Sequence, residues 1–220
     1  NVGQSLRDSL DRSLGRLKRD HVDLFQLHNT IGRPDHRGTV TTQQVLEEVV
    51  PAFEKLRDEG KTRFLGFTAK GDAADLHTLV TSERFDSAQI FFNLLVPSAG
   101  YPVPENYPAE DYHGLLGTAR DAGVGSIGVR VLAGGALSGS ESRHPLGTPT
   151  VAPIGSDTDY ATDVERARRF SPLIDAGYAG SLPELAIRYA ITHPDLVTTE
   201  IGIATLEEFQ FAADAVKIGR

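Results

Sequence analysis

The chain has 220 residues, of which 40 % are hydrophobic, enough to bury a sizeable core as one large domain or two small ones. Its formal net charge of −8 argues against nucleic acid or an anionic membrane as the main partner. With no cysteine, it has no disulfides, no thiolate metal ligands and no cysteine nucleophile. No window approaches the roughly 18 consecutive apolar residues of a membrane helix, and no apolar signal segment opens the chain, which fits a cytoplasmic protein. The chain also holds no Met and begins inside an amphipathic pattern, so we expect a piece of a longer protein.

In chain order, VGQSLRDSLDRSLGRLK reads as a helix, because Leu6, Leu10, Leu14 and Leu17 recur at helical spacing between charges. VDLFQLH reads as a strand that ends in the polar pair His28 and Asn29. QVLEEVVPAFEKLRDEG is a helix with a start or kink at Pro51, stopped by Gly60. TRFLGF is a strand, DAADLHTLVTS a helix and FDSAQIFF a strand. DYHGLLGTARDAG is expected as a helix before the strand GSIGVRVL. After a Gly/Pro/Ser-rich stretch at 138–158 come helices in DYATDVERARRFSPLIDAG and SLPELAIRYAITH. LVTTEIGI is expected as the last strand and LEEFQFAADAVK as the closing helix.

Strands alternating with longer helices imply parallel pairing through helical crossovers. A doubly wound sheet and a (β/α)₈ barrel both produce that alternation. No strand here runs into a GxGxxG turn, since GVGSIG precedes its strand, which disfavours the doubly wound sheet. A barrel usually takes about 250 residues and eight units. About five units in this length therefore predict one α/β TIM-barrel domain over 1–220, incomplete, with the last five β/α units present. Barrel sites form at strand C-termini, which would gather His28–Asn29, Thr68–Lys70, Gln89 with Asn93, Arg130 and Gly202–Thr205 at one mouth.

Several of these segments together resemble the aldo-keto reductase family. They are SLRDSLDRSLGRLKRDHVDLFQLHN, EKLRDEGKTRFLGFTA, FDSAQIFFNLL, GVGSIGVRVLAGGALSG and LPELAIRYAITHPDLVTTEIGIATLEEF, in family order over essentially the whole chain. The resemblance implies reversible hydride transfer between NAD(P)H and a small aldehyde, ketone or alcohol, without metal. A nicotinamide-binding sensor subunit on the same barrel, and a different barrel for a phosphorylated ligand, are the alternatives. The family's proton relay uses Asp, Tyr, Lys and His. His28 matches the His, expected to orient and donate to a substrate carbonyl. The other three would precede residue 1, so the isolated chain is expected to be inactive and to associate through open strand edges.

The resemblance also implies a cofactor pocket, with departures. The family's Ser-Asn pair on the nicotinamide carboxamide reads Thr68–Ala69, and Gln89 matches its Gln. The ring-stacking aromatic falls at Val129 and the next residue at Arg130, which suits a pyrophosphate, a substrate carboxylate or a rim ion pair. In the tail LAGGALSG, Leu132, Gly135 and Leu137 would bring backbone N–H groups to the pyrophosphate, or the tail simply turns. Gly202 and Thr205 would lie at the adenosine phosphate, or Thr205 is only an N-cap. The family's adenine-reading Glu-Asn pair is Phe211–Ala212 here. Glu200, Glu207 and Glu208 with no Lys or Arg over 200–216 lean toward NAD(H), while the family default is NADP(H), so both cofactors stay open.

Asn29 and Tyr101 are expected at the substrate, with Arg33, Asp35, His36 and Tyr107 in loops that would suit a sugar or polyol. The histidines lack metal-ligand spacing, and no GxSxG or phosphate-loop motif occurs. Glu47–Glu48 and the charges of DVERARR read as solvated helix faces. No oligomeric state follows from these patterns.

Overall fold

The computed structural model describes residues 2–33, 38–152 and 155–219. The chain divides into two compact units, Asn1–Ile90 with Thr118–Ser126, and Phe91–Gly117 with Ile127–Arg220. In the first, helix α1 (Val2–Leu17) buries Leu10 and Leu14 against Leu56, with Val22 and Phe25 packed on the same cluster. Each such leucine contributes about 1.5–3 kcal/mol relative to exposure. Leu17, expected on that stripe, is 58 % exposed because it stands in the helix's last turn.

Strand β1 (Val22–Leu27) is followed by the short parallel pair β2 (Thr30–Ile31) and β3 (Thr39–Val40). Helix α2 (Thr42–Gln44) opens with a capping box on Thr41 and passes into a π-helical turn over Val45–Val49. The turn explains the effect of Pro51. Proline has no N–H for the regular helical ladder, and Val50 N–H donates instead to Val45 O, five residues back. The α-helical ladder resumes in α3 (Val50–Asp58), with Pro51 in its first turn. Strand β4 (Thr62–Ala69), helix α4 (Ala73–Val80) and strand β5 (Ser87–Phe91) follow as expected.

β1 pairs with β4 and β4 with β5, all parallel. Side chains alternate across a strand, so Gln26 and His28, Gly66 and Thr68, and Ser87 and Gln89 share one face. The register sets Gln26 opposite Gly66 and Gly66 opposite Ser87. Only glycine fits in that row. A Cβ at position 66 would stand 2.5 Å from Ser87 Oγ and 2.9 Å from Gln26 Oε1.

Helix α5 (Leu115–Asp121) starts later than DYHGLLGTARDAG suggests, because His113 (φ 48°) and Gly114 (φ 73°) are left-handed. Strand β6 (Gly125–Val129) pairs in the second unit with β7, which is only Thr198–Thr199. The eight-residue strand expected there is cut short for a physical reason. β6 ends as Arg130 turns left-handed at φ 59°, so nothing beyond Glu200, whose N–H donates to Gly128 O, continues the ladder.

A short 3₁₀ segment (Ala133–Ser138) precedes α6 (Tyr160–Arg168) and α7 (Ser171–Asp175). These two were expected as one helix. Pro172 breaks it, since its ring would meet the carbonyl of residue 168 and it cannot donate there. Helices α8 (Leu182–Thr192) and α9 (Leu206–Ile218) complete the unit.

Candidate active site

His28 follows directly on the C-terminal end of β1, beside the C-terminal half of β4. Its Nδ1 stands 2.8 Å from Thr68 Oγ1. The Thr68 hydroxyl, itself buried, donates to Gln89 Oε1 at 2.6 Å. Thus the first unit brings together three of the residues singled out in the sequence, one from each of three neighbouring parallel strands. His28 as a whole is exposed. One layer down the same face, Gln26 Oε1 and Ser87 Oγ are buried without a hydrogen-bond partner among the described residues. Asn29, next to His28, donates from Nδ2 to Gly38 O and ties the following loop back on itself.

The second unit holds a different cluster. Arg130 ends β6 in a left-handed conformation that costs a non-glycine residue roughly 1–2 kcal/mol. Asn93 secures it, because its buried amide donates to Arg130 O at 2.9 Å while Oδ1 accepts from the N–H groups of Leu95 and Val96. Ala133, Gly134 and Gly135 then run at φ 49°, 67° and 107°, a turn that lets a guanidinium lie against the backbone. A Cβ on Gly134 would come within 2.9 Å of an Arg130 Nη, and Arg143 donates to Gly134 O at 2.7 Å. Burial, and then the charge of Arg143, push the Arg130 guanidinium below its ordinary value. It keeps its charge, since arginine is not deprotonated in proteins.

Two cations over a glycine turn, one of them half-buried with no hydrogen bond to its guanidinium among the described residues, are the chemistry a phosphate oxygen satisfies. The residues therefore fit the pyrophosphate of a nicotinamide dinucleotide. Leu132 and Gly135 lie in this turn, but the N–H groups of Gly135 and Leu137, expected at the pyrophosphate, donate instead to Leu132 O at 2.8 and 3.2 Å, and the Leu137 side chain is fully buried. At the other expected cofactor contact the hydroxyl is engaged. Thr205 caps α9 by accepting from Glu208 N, and Glu208 accepts from Ala204 N at 2.6 Å. That carboxylate occupies the helix end a phosphate would use. Gly202 is exposed with open space around it.

The reading of DVERARR as a solvated face is corrected at two positions. Asp163 is 2 % exposed and accepts from Thr158 Oγ1 at 2.6 Å, Ser156 Oγ at 2.7 Å and Arg166 at 3.3 Å. Arg166 also donates to Leu95 O at 3.1 Å and lies over the Tyr107 ring. Helical spacing puts Asp163 beside Val164 and Ala167, and the segment around Ser156–Thr158 folds over it, which removes it from water. A small cavity of about 10 Å³ lies beneath, lined by Asn93, Arg130, Ala133, Ala152, Ser156 and Asp163 among others, with room for about one water. Sequence reasoning missed Asp163, Arg143 and the strap they hold. The one available signal was Ser156 and Thr158 spaced just before an N-cap Asp159.

Tyr101 is 41 % exposed, with its ring against His193 and Tyr189. Tyr107 donates to Leu95 O, Arg33 is exposed, and Asp35 and His36 lie outside the described residues. Ala69 and Val129 offer no amide and no ring, so those two family contacts have no counterpart. Phe211 is partly exposed on α9. Among the described residues no group of three His, Asp or Glu could hold a metal, and no helix is long and apolar enough to cross a membrane. The larger hollow of the first unit, about 370 Å³ between Leu24, Phe64, Phe85 and Gly123, opens at the opposite strand ends from His28. It lacks a hydrogen-bonded set of polar side chains like that of His28, Thr68 and Gln89, which leaves the His28 cluster as the first unit's candidate site.

A family model described as the aldo/keto reductase family matches residues 3–219. L-galactose dehydrogenase of Arabidopsis thaliana is 26 % identical over 214 residues, covering 97 % of this chain and 58 % of the relative. An uncharacterized oxidoreductase of Bacillus subtilis, YrpG, is 26 % identical over 213 residues, covering 97 % and 59 %. Among solved structures, the aldo-keto reductase AKR11C1 from Bacillus halodurans in its holo form superposes with a TM-score of 0.65 at 20 % identity, over 98 % of this chain and 60 % of that one. The glycerol dehydrogenase AKR11B4 from Gluconobacter oxydans gives 0.56 at 16 % identity, over 98 % and 64 %. At these identities the superpositions establish the fold, an α/β chain of the TIM-barrel type. The chain spans about three-fifths of the length of these relatives.

Proposed function

This chain belongs to the aldo/keto reductase family, and from that premise we propose that it supplies substrate- and cofactor-binding elements of an NAD(P)-dependent oxidoreductase. The reaction is reversible hydride transfer between the nicotinamide and a small aldehyde or ketone, with a sugar or polyol as the substrate class. What most supports this reading is the His28–Thr68–Gln89 cluster at the C-terminal ends of three neighbouring parallel strands, where barrel enzymes carry their chemistry. Two relatives named for a sugar and for a polyol support the substrate class.

In this reading Arg130, beside the Leu132–Leu137 turn, holds the pyrophosphate, and Gly202 and Thr205 lie along the adenosine half. Asn29, next to His28, borders the substrate. The cofactor, when bound, supplies or accepts the hydride. His28 is the only member of the family's relay matched in this chain, so hydride transfer by these 220 residues alone is not expected. The cofactor is NAD(H) or NADP(H), and the Glu208 cap on α9 opposes a 2′-phosphate near that helix end.

Titration of NADH and NADPH into the full-length product of the gene, read by nicotinamide fluorescence, tests this. A saturable change is expected, with turnover of at least one sugar, polyol or aldehyde. Binding without turnover of any of these would replace the enzyme with a nicotinamide sensor, and no binding of either cofactor would overturn the reading altogether.

A further inference from the structure

We propose that Lys70 is a specificity-determining residue beside His28, whose ammonium holds a carboxylate carried by the substrate. This rests on the oxidoreductase reading above and narrows its substrate class to sugars that bear a carboxylate, the uronic acids. The register of β1 with β4 places Lys70. It sets Leu27 opposite Phe67 and, past the ends of both strands, Ile31 opposite Gly71, so His28 stands opposite Thr68 and Thr30 opposite Lys70. Ile31 N–H donates to Lys70 O at 2.7 Å, and Lys70 N–H donates back to Thr68 O at 2.8 Å. These bonds keep Lys70 at the C-terminal strand ends where His28 lies.

Its charge is the second observation. Among the described residues of the first unit, the part-buried cations are Arg7, Arg57, Lys61, Lys70 and Arg84. Arg7 meets Glu59, Arg57 and Arg84 meet Glu54, and Lys61 meets Asp11. Lys70 alone of this set meets no carboxylate, and its ammonium makes no hydrogen bond among the described residues. The acidic residues that follow it are already engaged. Asp72 accepts from the N–H groups of Ala74 and Asp75 at the start of α4, and Asp75 accepts from Thr42 Oγ1 at 2.7 Å. A partly covered cation gains most from an anion that restores its lost solvation, and a bond from N⁺–H to a carboxylate is among the stronger ones.

The surroundings favour a carboxylate over a phosphate. A phosphate brings close to two charges and three acceptor oxygens, which call for several donors or a free helix end. Here the start of α4 is taken by the Asp72 side chain, so Lys70 supplies a single point charge. One ammonium matches one monoanion. The chain as a whole carries −8, so an acidic substrate depends on such a local cation to offset the general repulsion. A carboxylate held at Lys70 orients the far end of a substrate whose carbonyl or alcohol lies at His28.

The test compares substrates that differ only in the anion, D-glucuronate with D-glucose and D-galacturonate with D-galactose, by kcat/KM on the full-length protein with each cofactor. The acid is expected to be favoured in at least one pair, by a margin that shrinks as salt is raised. Lys70→Gln is expected to lower that acid-to-neutral ratio about 10- to 100-fold, chiefly through KM, and Lys70→Arg to keep most of it. Both members of a pair are measured on one sample, so a loss of folded protein cancels from the ratio. A preference for the neutral sugar in both pairs, or a ratio that Lys70→Gln does not lower, would overturn the proposal. Calorimetric titration of the two acids into the same proteins repeats the comparison without turnover. Weaker binding by Lys70→Gln supports the assignment there, and no binding of either acid, or equal binding by both proteins, counts against it. Failure to bind either cofactor would instead remove the oxidoreductase reading, so the two failures are distinguishable.

Discussion

Replacing Asp163 with Ala should be among the most damaging single changes in the second unit. The carboxylate is buried and accepts from two hydroxyls at 2.6 and 2.7 Å and from Arg166 at 3.3 Å. Each hydrogen bond to a charged group contributes about 1.5–3 kcal/mol, although the three share one acceptor and do not add. The larger effect is what truncation leaves behind. The Arg166 side chain is only 10 % exposed, and breaking a buried pair from one side costs about 3–5 kcal/mol. A typical domain has about 5–15 kcal/mol in all, so Asp163→Ala removes a large share of the total.

The chain has no Trp, so urea unfolding is best followed by far-ultraviolet circular dichroism, with the free energy from linear extrapolation. Asp163→Asn should cost less, about 1–3 kcal/mol, since the amide oxygen still accepts from one hydroxyl. Asp163→Ala with Arg166→Met should cost less than the sum of the two single changes. A loss under about 1 kcal/mol for Asp163→Ala, or strict additivity in the pair, would refute the view that this carboxylate holds the strap through a buried charge network.

Three other outcomes are expected. Gly66→Ala places a Cβ within 2.5 Å of Ser87 Oγ and should lower the melting temperature, whereas Gly202→Ala, in open space, should leave it unchanged. Arg130→Gly relieves a left-handed φ and a desolvated cation, so stability should hold or rise by about 0.5–1 kcal/mol. The same change should weaken nicotinamide dinucleotide binding about 10- to 100-fold in the full-length protein, read by fluorescence titration. Arg7 on α1 donates through both Nη atoms to Glu59, and that hydrogen bond holds the Glu59 carboxyl below its ordinary value. A depressed folded-state value means that the contribution is present above the ordinary glutamate range and is lost as pH falls through the depressed one. Hydrogen exchange in α1, corrected for its intrinsic pH dependence, should therefore quicken on acidification, and Glu59→Gln should abolish that response.

The sequence by itself determined most of the elements, because the signals for them are local. Leu10 and Leu14 at helical spacing, the apolar run of VDLFQL and Gly60 as a stop each act within a few residues of themselves. Five motifs in order were enough to identify the family, since motif order survives at identities where contacts cannot be read. The edges were less legible. Pro51 announced a disturbance but not a π turn, and LVTTEIGI kept its strand character only where β6 lasted long enough to pair with it.

Tertiary structure alone decided which polar groups meet. His28, Thr68 and Gln89 were each visible as strand-end residues, yet their hydrogen bonds span 40 and 21 positions and exist only because parallel pairing fixes one register. Arg130 gave no sign of a left-handed backbone, which Asn93 imposes from 37 positions away. Asp163 looked solvated in a run of charges until Ser156 and Thr158 closed over it. Periodicity is a property of neighbours along the chain and can be read there. The burial and partner of a polar side chain are set by segments distant in sequence, and these are brought together only when the apolar faces pack.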